Sequence, residues 1–141
     1  MNIKKALVAG SGQMGPGIAY TLASVGCETK IFGRSAESVD KGMSAYCQIL
    51  EVLSAEGCLA ADRVAPLKAL VSGTTELEAE VGGADLVIES IPENLELKRE
   101  FFHRVEQHCP PEAILTSNTS GIPATDIAAQ LGKPDRFAVT H

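Results

Sequence analysis

Three glycines near the amino terminus have the spacing of a phosphate-binding turn. The motif is Gly10-x-Gly12-x-x-Gly15, with Gln13 and Met14 between the last two glycines. In such a turn the first glycine allows the bend, the second lets backbone N–H groups approach a pyrophosphate, and the third lets a helix pack closely on a strand. An apolar run precedes the motif and an apolar-periodic segment follows it, as the mechanism requires. The stretch predicts dinucleotide binding; the alternative is an ordinary glycine-rich turn between strand and helix.

A second candidate cofactor contact lies at Gly33, Arg34 and Ser35, directly after a predicted strand. An NAD site usually has an acidic residue about 20 residues beyond the first glycine, where it accepts hydrogen bonds from ribose hydroxyls. This chain has Gly33 there instead. Arg34 and Ser35 could bind a 2′-phosphate, the arginine by a charge-assisted contact. The corner therefore favours NADP over NAD, with an arginine stacked on the adenine of NAD, or a solvated loop, as the alternatives.

Three polar residues that follow the last two predicted strands have side chains that could take part in chemistry, although their positions alone do not assign them a role. They are Asn118, Ser120 and His141. A neutral imidazole suits reversible proton transfer near neutral pH, and a serine hydroxyl can donate to a developing oxyanion. The alternatives are a merely exposed terminal histidine and two residues that form a turn.

These candidates are positioned by strands that alternate with helices. The predicted strands span residues 6–9, 28–32, 71–75, 85–91, 114–116 and 137–140. The predicted helices span 16–25, a hairpin of two helices within 36–70, 95–108 and 123–131. This alternation predicts an α/β fold, a doubly wound parallel sheet of the Rossmann type with a helical hairpin inserted after the second strand. Gly57 is expected to separate the two helices of the hairpin. Val25 and Leu97 are expected to face the core.

Composition and charge argue against several classes of function. Residues 1–141 are predicted to form one dinucleotide-binding domain, long enough to bury a core. The net charge is −6 and the basic residues are scattered, which argues against nucleic acid or an anionic membrane as a partner.

The cysteines and the apolar runs predict the compartment. Four cysteines form no C-x-x-C pair and have no histidine at metal-binding spacing, so no metal is predicted and the thiols fit a reducing cytosol. No apolar run has membrane-spanning length, and residues 1–5 lead into the first strand without room for a signal peptide. A cytoplasmic location is expected.

Four motifs together resemble the NAD-binding domain of the L-3-hydroxyacyl-CoA dehydrogenases. They are GSGQMGPGIA at 10–19, DLVIESIPENLELK at 85–98, SNTS at 117–120 and DRFAVTH at 135–141. They keep the order and approximate spacing of the family and cover essentially the whole chain. Carnitine dehydrogenase, gulonate dehydrogenase and lambda-crystallin resemble the same pattern, so the substrate stays open.

The resemblance implies a role for each candidate residue. His141 matches the catalytic base, which takes the proton from the 3-hydroxyl of an acyl-CoA as hydride leaves for the nicotinamide. Ser120 matches the residue that touches the reacting oxygen, and Asn118 lies beside it. Glu93 and Lys98 match residues close to the cofactor and the active-site cleft. From the residues alone, Glu93 could equally be a helix-capping acid.

Two departures from the family accompany the resemblance. Gly33 replaces the aspartate at the end of the second strand, which bears on the choice between NAD and NADP. The acidic partner of the base, and the helical second domain that closes the cleft and forms the homodimer, would lie beyond His141. The chain is therefore expected to be incomplete as a catalyst on its own. The alternative function is a non-catalytic NAD(P)-binding module, sensing or crystallin-like.

Overall fold

The computed structural model describes residues 3–141 and shows, within them, a six-stranded sheet in which every pairing is parallel. The strands are β1 (Lys5–Ala9), β2 (Glu28–Phe32), β3 (Val71–Thr74), β4 (Leu86–Glu89), β5 (Ile114–Ser117) and β6 (Phe137–Val139). The helices are α1 (Gly15–Ser24), α2 (Ala36–Ala55), α3 (Ala61–Leu70), α4 (Leu77–Val81), α5 (Leu95–His108) and α6 (Ala124–Ala128). The strand order β3-β2-β1-β4-β5-β6 is that of a Rossmann fold, so the predicted fold class is confirmed. Met1 and Asn2, on which the signal-peptide expectation partly rests, lie outside the described residues.

Helices cover both faces of the sheet because its central strands are apolar on both faces. Leu7 and Ala9 of β1 pack with α4, α5 and α6, for example against Phe102. Ala6 of the same strand packs with α1, and Ile31 of β2 packs with α1, α2 and α3. A parallel sheet is normally buried in this way. The carboxyl edge of the strands is where such a fold binds its ligand.

The predicted helical hairpin is confirmed, and a buried tyrosine fastens its two helices together. Gly57 has φ of 72°, a left-handed conformation in which glycine readily ends a helix such as α2. Tyr46 of α2 is fully buried, and its hydroxyl donates to the carbonyl oxygen of Leu67 in α3 at 2.7 Å. Burial raises the pKa of Tyr46 to about 12, so the hydroxyl keeps its proton and remains a donor.

Two predicted core positions are wrong, and two predicted elements differ from the observed ones by more than one residue at an end. Val25 is 80% exposed because it follows the last turn of α1, and Leu97 is 41% exposed because Lys98 takes the inward position in the first turn of α5. The fourth strand and the sixth helix are shorter than predicted, Leu86–Glu89 and Ala124–Ala128. Within residues 3–141 no helix combines the length and the apolar character needed to cross a bilayer.

Candidate cofactor-binding and active site

The glycine turn between β1 and α1 leaves one of its three glycines facing open space. Gly10 has φ of 129°, and a Cβ on it would lie 2.8 Å from the carbonyl carbon of Ser90. A Cβ on Gly15 would lie 2.9 Å from the carbonyl carbon of Gly10, where α1 packs onto the turn. A Cβ on Gly12 would have no neighbouring protein atom within 4 Å. The fold needs the first and third glycines, whereas Gly12 leaves room for a ligand to approach the backbone. This is the division of roles that a phosphate-binding turn requires.

The N-terminus of α1 faces the crevice where the strand order reverses. The backbone N–H of Gly10 donates to Phe32 of β2 at 3.0 Å, while Ser90, after β4, donates to Ala9 of β1 at 2.7 Å. Met14 occupies the N-cap without a side-chain capping bond, and the first turn has no acidic residue. The free N–H groups and the positive end of the helix dipole are therefore available to an anion. A pyrophosphate is the anion that this crevice binds in Rossmann folds.

A cleft of about 640 Å³ separates the glycine turn from helix α2. The helix comes close to the turn at Gly42, where a Cβ would lie 2.8 Å from the Cβ of Ser11. Of the residues in the described range 3–141, none with a charged side chain lines the cleft, which is formed by Ser11, Gly12, Gln13, Pro16, Ala45, Gln48, Ile49, Val52 and Leu53. Gln13 and Met14 are both exposed beside the turn.

The corner at the end of β2 carries Gly33 in place of the acidic residue of a typical NAD site, and a side chain there would require Ser38 to move. Gly33 is buried, and a Cβ on it would overlap the hydroxyl oxygen of Ser38 and lie 3.0 Å from the backbone nitrogen of Val39. Ser35 is the N-cap of α2, because its hydroxyl oxygen accepts from the N–H of Ser38 at 3.2 Å. Arg34 is exposed and forms no ion pair with any residue in the described range 3–141.

A buried carboxylate stands at the end of β4, beside the crevice. Glu89 is 0% exposed and Lys98 is 1% exposed, with 2.7 Å between the Lys98 Nζ and the Glu89 Oε1. The same Oε1 accepts from the backbone N–H of Ile91 at 2.7 Å, and Oε2 accepts from the Ser117 hydroxyl at 2.5 Å. The carboxylate is thus fully satisfied by hydrogen-bond donors, as a buried charge must be.

A second carboxylate, Glu93, extends this cluster to the surface. Its Oε2 lies 3.2 Å from the Lys98 Nζ, and its Oε1 accepts from the Thr119 hydroxyl and from the Gly121 N–H, the latter at 3.1 Å. The Thr119 hydrogen bond, aided by the Gly121 N–H and Lys98, outweighs partial burial and lowers the pKa of Glu93 to about 2. Glu93 is not the cap of α5, because Asn94 fills that position.

The three candidate catalytic residues lie at the same carboxyl edge of the sheet. The backbone N–H of Asn118 donates to the end of β4 at 2.7 Å, and the N–H of Thr140 donates to Ser117 of β5 at 2.9 Å. His141 therefore follows β6 next to the turn that carries Asn118 and Ser120. Asn118 is half-buried, whereas Ser120 and His141 are exposed. Within residues 3–141, no side-chain hydrogen bond engages His141.

Comparison with known proteins identifies the family to which this chain belongs. A family model described as "3-hydroxyacyl-CoA dehydrogenase, NAD binding domain" matches residues 5–141. The chain belongs to this family.

Two curated relatives and one solved structure show how far the similarity extends. The chain is 38% identical to a probable 3-hydroxybutyryl-CoA dehydrogenase of Bacillus subtilis, over 100% of this chain and 49% of the relative. It is 37% identical to 3-hydroxyadipyl-CoA dehydrogenase of Escherichia coli, over 100% of this chain and 30% of the relative. A crystal structure of 3-hydroxybutyryl-CoA dehydrogenase from Escherichia coli superimposes with a TM-score of 0.95 at 35% identity, over 100% of this chain and 30% of that one. The chain thus spans at most about half the length of these proteins.

Membership in the 3-hydroxyacyl-CoA dehydrogenase family confirms the resemblance inferred from the four motifs. The matching family model is that of an NAD-binding domain. The roles of the individual residues stay predictions. Lys98 in particular is enclosed by Glu89 and Glu93 rather than open to the crevice, so its direct contact with a cofactor is also a prediction. Among residues 3–141 no group of His, Cys, Asp and Glu side chains is arranged to hold a metal ion.

Sequence reasoning missed three members of the polar cluster, Glu89, Ser117 and Thr119. One signal was present: Glu89 interrupts the apolar run that predicts β4, and a carboxylate in a buried strand needs a charged or hydrogen-bonding partner. The partners are contributed by α5 and by the turn after β5, and the pattern of a single strand does not show them.

Proposed function

We propose that this chain is the cofactor-binding part of an NAD(P)-dependent oxidoreductase that transfers hydride between C3 of a 3-hydroxyacyl-CoA and a nicotinamide. The main support for this proposal is that the open glycine turn and the turn at 117–121 flank one crevice at the carboxyl edge of the sheet. A dinucleotide across this crevice has its adenosine half over β1 to β3 and its nicotinamide half over β4 to β6. The reacting end then lies over the elements that carry Asn118, Ser120 and His141.

Each residue has a chemical task in this proposal. When bound, the nicotinamide supplies the acceptor for the hydride that leaves C3. His141, with a neutral imidazole, takes the proton of the 3-hydroxyl as the C3–H bond breaks, and returns it in the reverse reaction. Ser120 donates a hydrogen bond to the reacting oxygen, with Asn118 beside it. Backbone N–H groups at Gly12 and at the start of α1 hold the pyrophosphate.

The proposal extends to the partners and the location of the protein. The substrate class is an acyl-CoA, as in the names of the relatives, within fatty acid metabolism. A homodimer would form through a helical domain outside these residues. A cytoplasmic location is supported by the free thiols of Cys27, Cys47, Cys58 and Cys109. Sedimentation and cell fractionation check these two points.

The catalytic assignment is tested with His141→Ala in the longest natural protein that contains these residues. We expect 3-hydroxybutyryl-CoA oxidation, followed by nicotinamide absorbance, to fall by about 100- to 10,000-fold, because a general base contributes that much. NADH affinity should not change. His103→Ala, an exposed histidine in the middle of α5, is the matched control. A wild-type protein that binds dinucleotide but oxidises no 3-hydroxyacyl-CoA would instead support the non-catalytic alternative.

We also propose that NADP binds more tightly than NAD. The proposal is supported by the absence of a carboxylate at Gly33 and by the exposed guanidinium of Arg34, which pairs with no acidic residue among residues 3–141 and precedes the N-terminus of α2. The neighbouring acid Glu37 is already paired with Lys41 at 2.7 Å. One charge-assisted hydrogen bond at this exposed site corresponds to about tenfold in affinity.

Calorimetric titration of Arg34→Ala tests the NADP preference. The affinity for NADP should fall by about tenfold while that for NAD is unchanged, and the difference should shrink as salt rises. Arg63→Ala removes the same charge from an exposed position of α3 and is the control. Equal affinities of the wild-type chain for the two cofactors would contradict the proposal.

A further inference from the structure

The carboxylate of Glu89 connects three segments that meet beside the crevice. Through Lys98 it reaches the first turn of α5, through Ser117 it reaches the end of β5, and through the N–H of Ile91 it fixes the segment that leaves β4. These bonds are 2.5 to 2.7 Å long and lie where the exposed fractions of Glu89 and Lys98 are 0% and 1%. Hydrogen bonds to charged groups are strong in such a water-free environment.

The turn at 117–121 is held at both of its ends by this cluster. At its start, the Ser117 hydroxyl donates to Glu89 and also accepts from the N–H of Thr119 at 3.3 Å. At its end, Glu93 accepts from the Thr119 hydroxyl and the Gly121 N–H. Lys98 joins the two carboxylates, at 2.7 Å from Glu89 and 3.2 Å from Glu93. Between the two attachments lie Asn118, which is half-buried, and Ser120, which is exposed.

We propose that Glu89 is a positioning residue for the nicotinamide half of the site. It touches neither cofactor nor substrate; it fixes Lys98 and Ser117, and through them Glu93 and both ends of the 117–121 turn. The inference rests on the proposed dinucleotide binding, in which this half of the crevice holds the nicotinamide. The adenosine half is formed by other elements, β1, β2 and the start of α2, which contain none of the cluster.

Comparing the affinities for two ligands distinguishes this positioning role from a general contribution of Glu89 to stability. NADH occupies both halves of the crevice, whereas ADP-ribose occupies the adenosine and pyrophosphate positions without a nicotinamide. If the wild-type chain binds NADPH more tightly than NADH, the test uses NADPH and 2′-phospho-ADP-ribose in place of NADH and ADP-ribose. In Glu89→Gln we expect the affinity for NADH to fall by about tenfold or more, because Lys98 loses one of its two anionic partners and the cluster loosens. The affinity for ADP-ribose should stay within about twofold of wild type.

A second variant and a control keep the test decisive if Glu89→Gln does not fold. Ser117→Ala keeps every charge and removes the hydroxyl that donates to Glu89 and accepts from the Thr119 N–H. It should lower NADH affinity by about threefold with ADP-ribose unchanged. Glu106→Gln is the control, because this carboxylate lies on the same helix as Lys98 but towards its opposite end, where it pairs with Arg136 at 3.4 Å. It should change neither ligand's affinity.

Hydrogen exchange measures the positioning itself. Amides 118–121 should exchange faster in Glu89→Gln and Ser117→Ala, and at the wild-type rate in Glu106→Gln. Folded cluster variants that keep NADH affinity, or that lose NADH and ADP-ribose affinity equally, would overturn the inference. A wild-type chain that binds neither ligand would instead contradict the proposed function, so the two failures are distinguishable.

Discussion

Gly12→Val separates the ligand-binding role of the glycine turn from its structural role. A Cβ at Gly12 would meet no protein atom within 4 Å, and the residue does not have a positive φ. The valine side chain therefore fits the free chain, and we expect the free energy of unfolding to change by no more than about 0.5 kcal/mol. The same substitution at Gly10 or Gly15 would collide with backbone and destabilise the fold.

The effect of the valine on binding follows from hydrogen-bond geometry. A phosphate oxygen must come within about 2.7–3.2 Å of a backbone nitrogen, whereas carbon atoms need about 3.5–4.0 Å of separation. The valine methyl groups occupy that space. Losing two hydrogen bonds to a charged group, at about 1.5–3 kcal/mol each, amounts to about 3–6 kcal/mol. Dinucleotide affinity should then fall by about 100- to 10,000-fold.

Calorimetry with NADH and thermal unfolding provide the two measurements. Gly83→Val is the matched control, because Gly83 also has open space around it but precedes β4 at the opposite edge of the sheet. It should bind NADH like the wild-type chain. A Gly12→Val chain that is folded and binds NADH with unchanged affinity would refute the assignment of the pyrophosphate to this turn.

Three further predictions concern stability and packing. Tyr46→Phe should lower the free energy of unfolding by about 1–3 kcal/mol in urea titrations, because the carbonyl of Leu67 loses its buried donor; an unchanged value would show that water replaces the hydroxyl. Gly42→Ala should weaken dinucleotide binding despite its higher helix propensity, since the new methyl group pushes α2 away from Ser11, and calorimetry beside circular dichroism checks this. The depressed pKa of Glu93 contributes stability that is present above about pH 4.5 and lost as pH falls towards 2. Glu93→Gln should therefore reduce the loss of stability between pH 5 and pH 2.5, and an identical loss in both chains would contradict the pKa shift.

The fold could be predicted because its signals are local. Strands such as β1 and β4 are short apolar runs, and the long helices α2 and α5 have an apolar periodicity, so the α/β class, the hairpin and the glycine turn follow from neighbouring residues. The boundaries of β4 and α6 were less accurate because backbone pairing, rather than side-chain type, ends these elements.

The polar cluster at the carboxyl edge could not be predicted in the same way. Glu89 and Ser117 are 28 positions apart, and only the parallel pairing of β4 with β5 brings them together. Long-range contacts also explain why Lys98, and not the predicted Leu97, faces inward from α5. Hydropathy favours leucine at the core, but a buried carboxylate on the adjacent strand requires a cation.

In the proposed function, the crevice between the glycine turn and the 117–121 turn binds a nicotinamide dinucleotide. The most direct measurement is a titration of the ¹⁵N-labelled chain with NADH, or with NADPH if that binds more tightly, followed by backbone amide chemical shifts. We expect saturable shifts at Gly10, Gly12 and Ser120, and none at Gly83. Shifts that are absent at saturating ligand, or confined to residues outside this crevice, would contradict it.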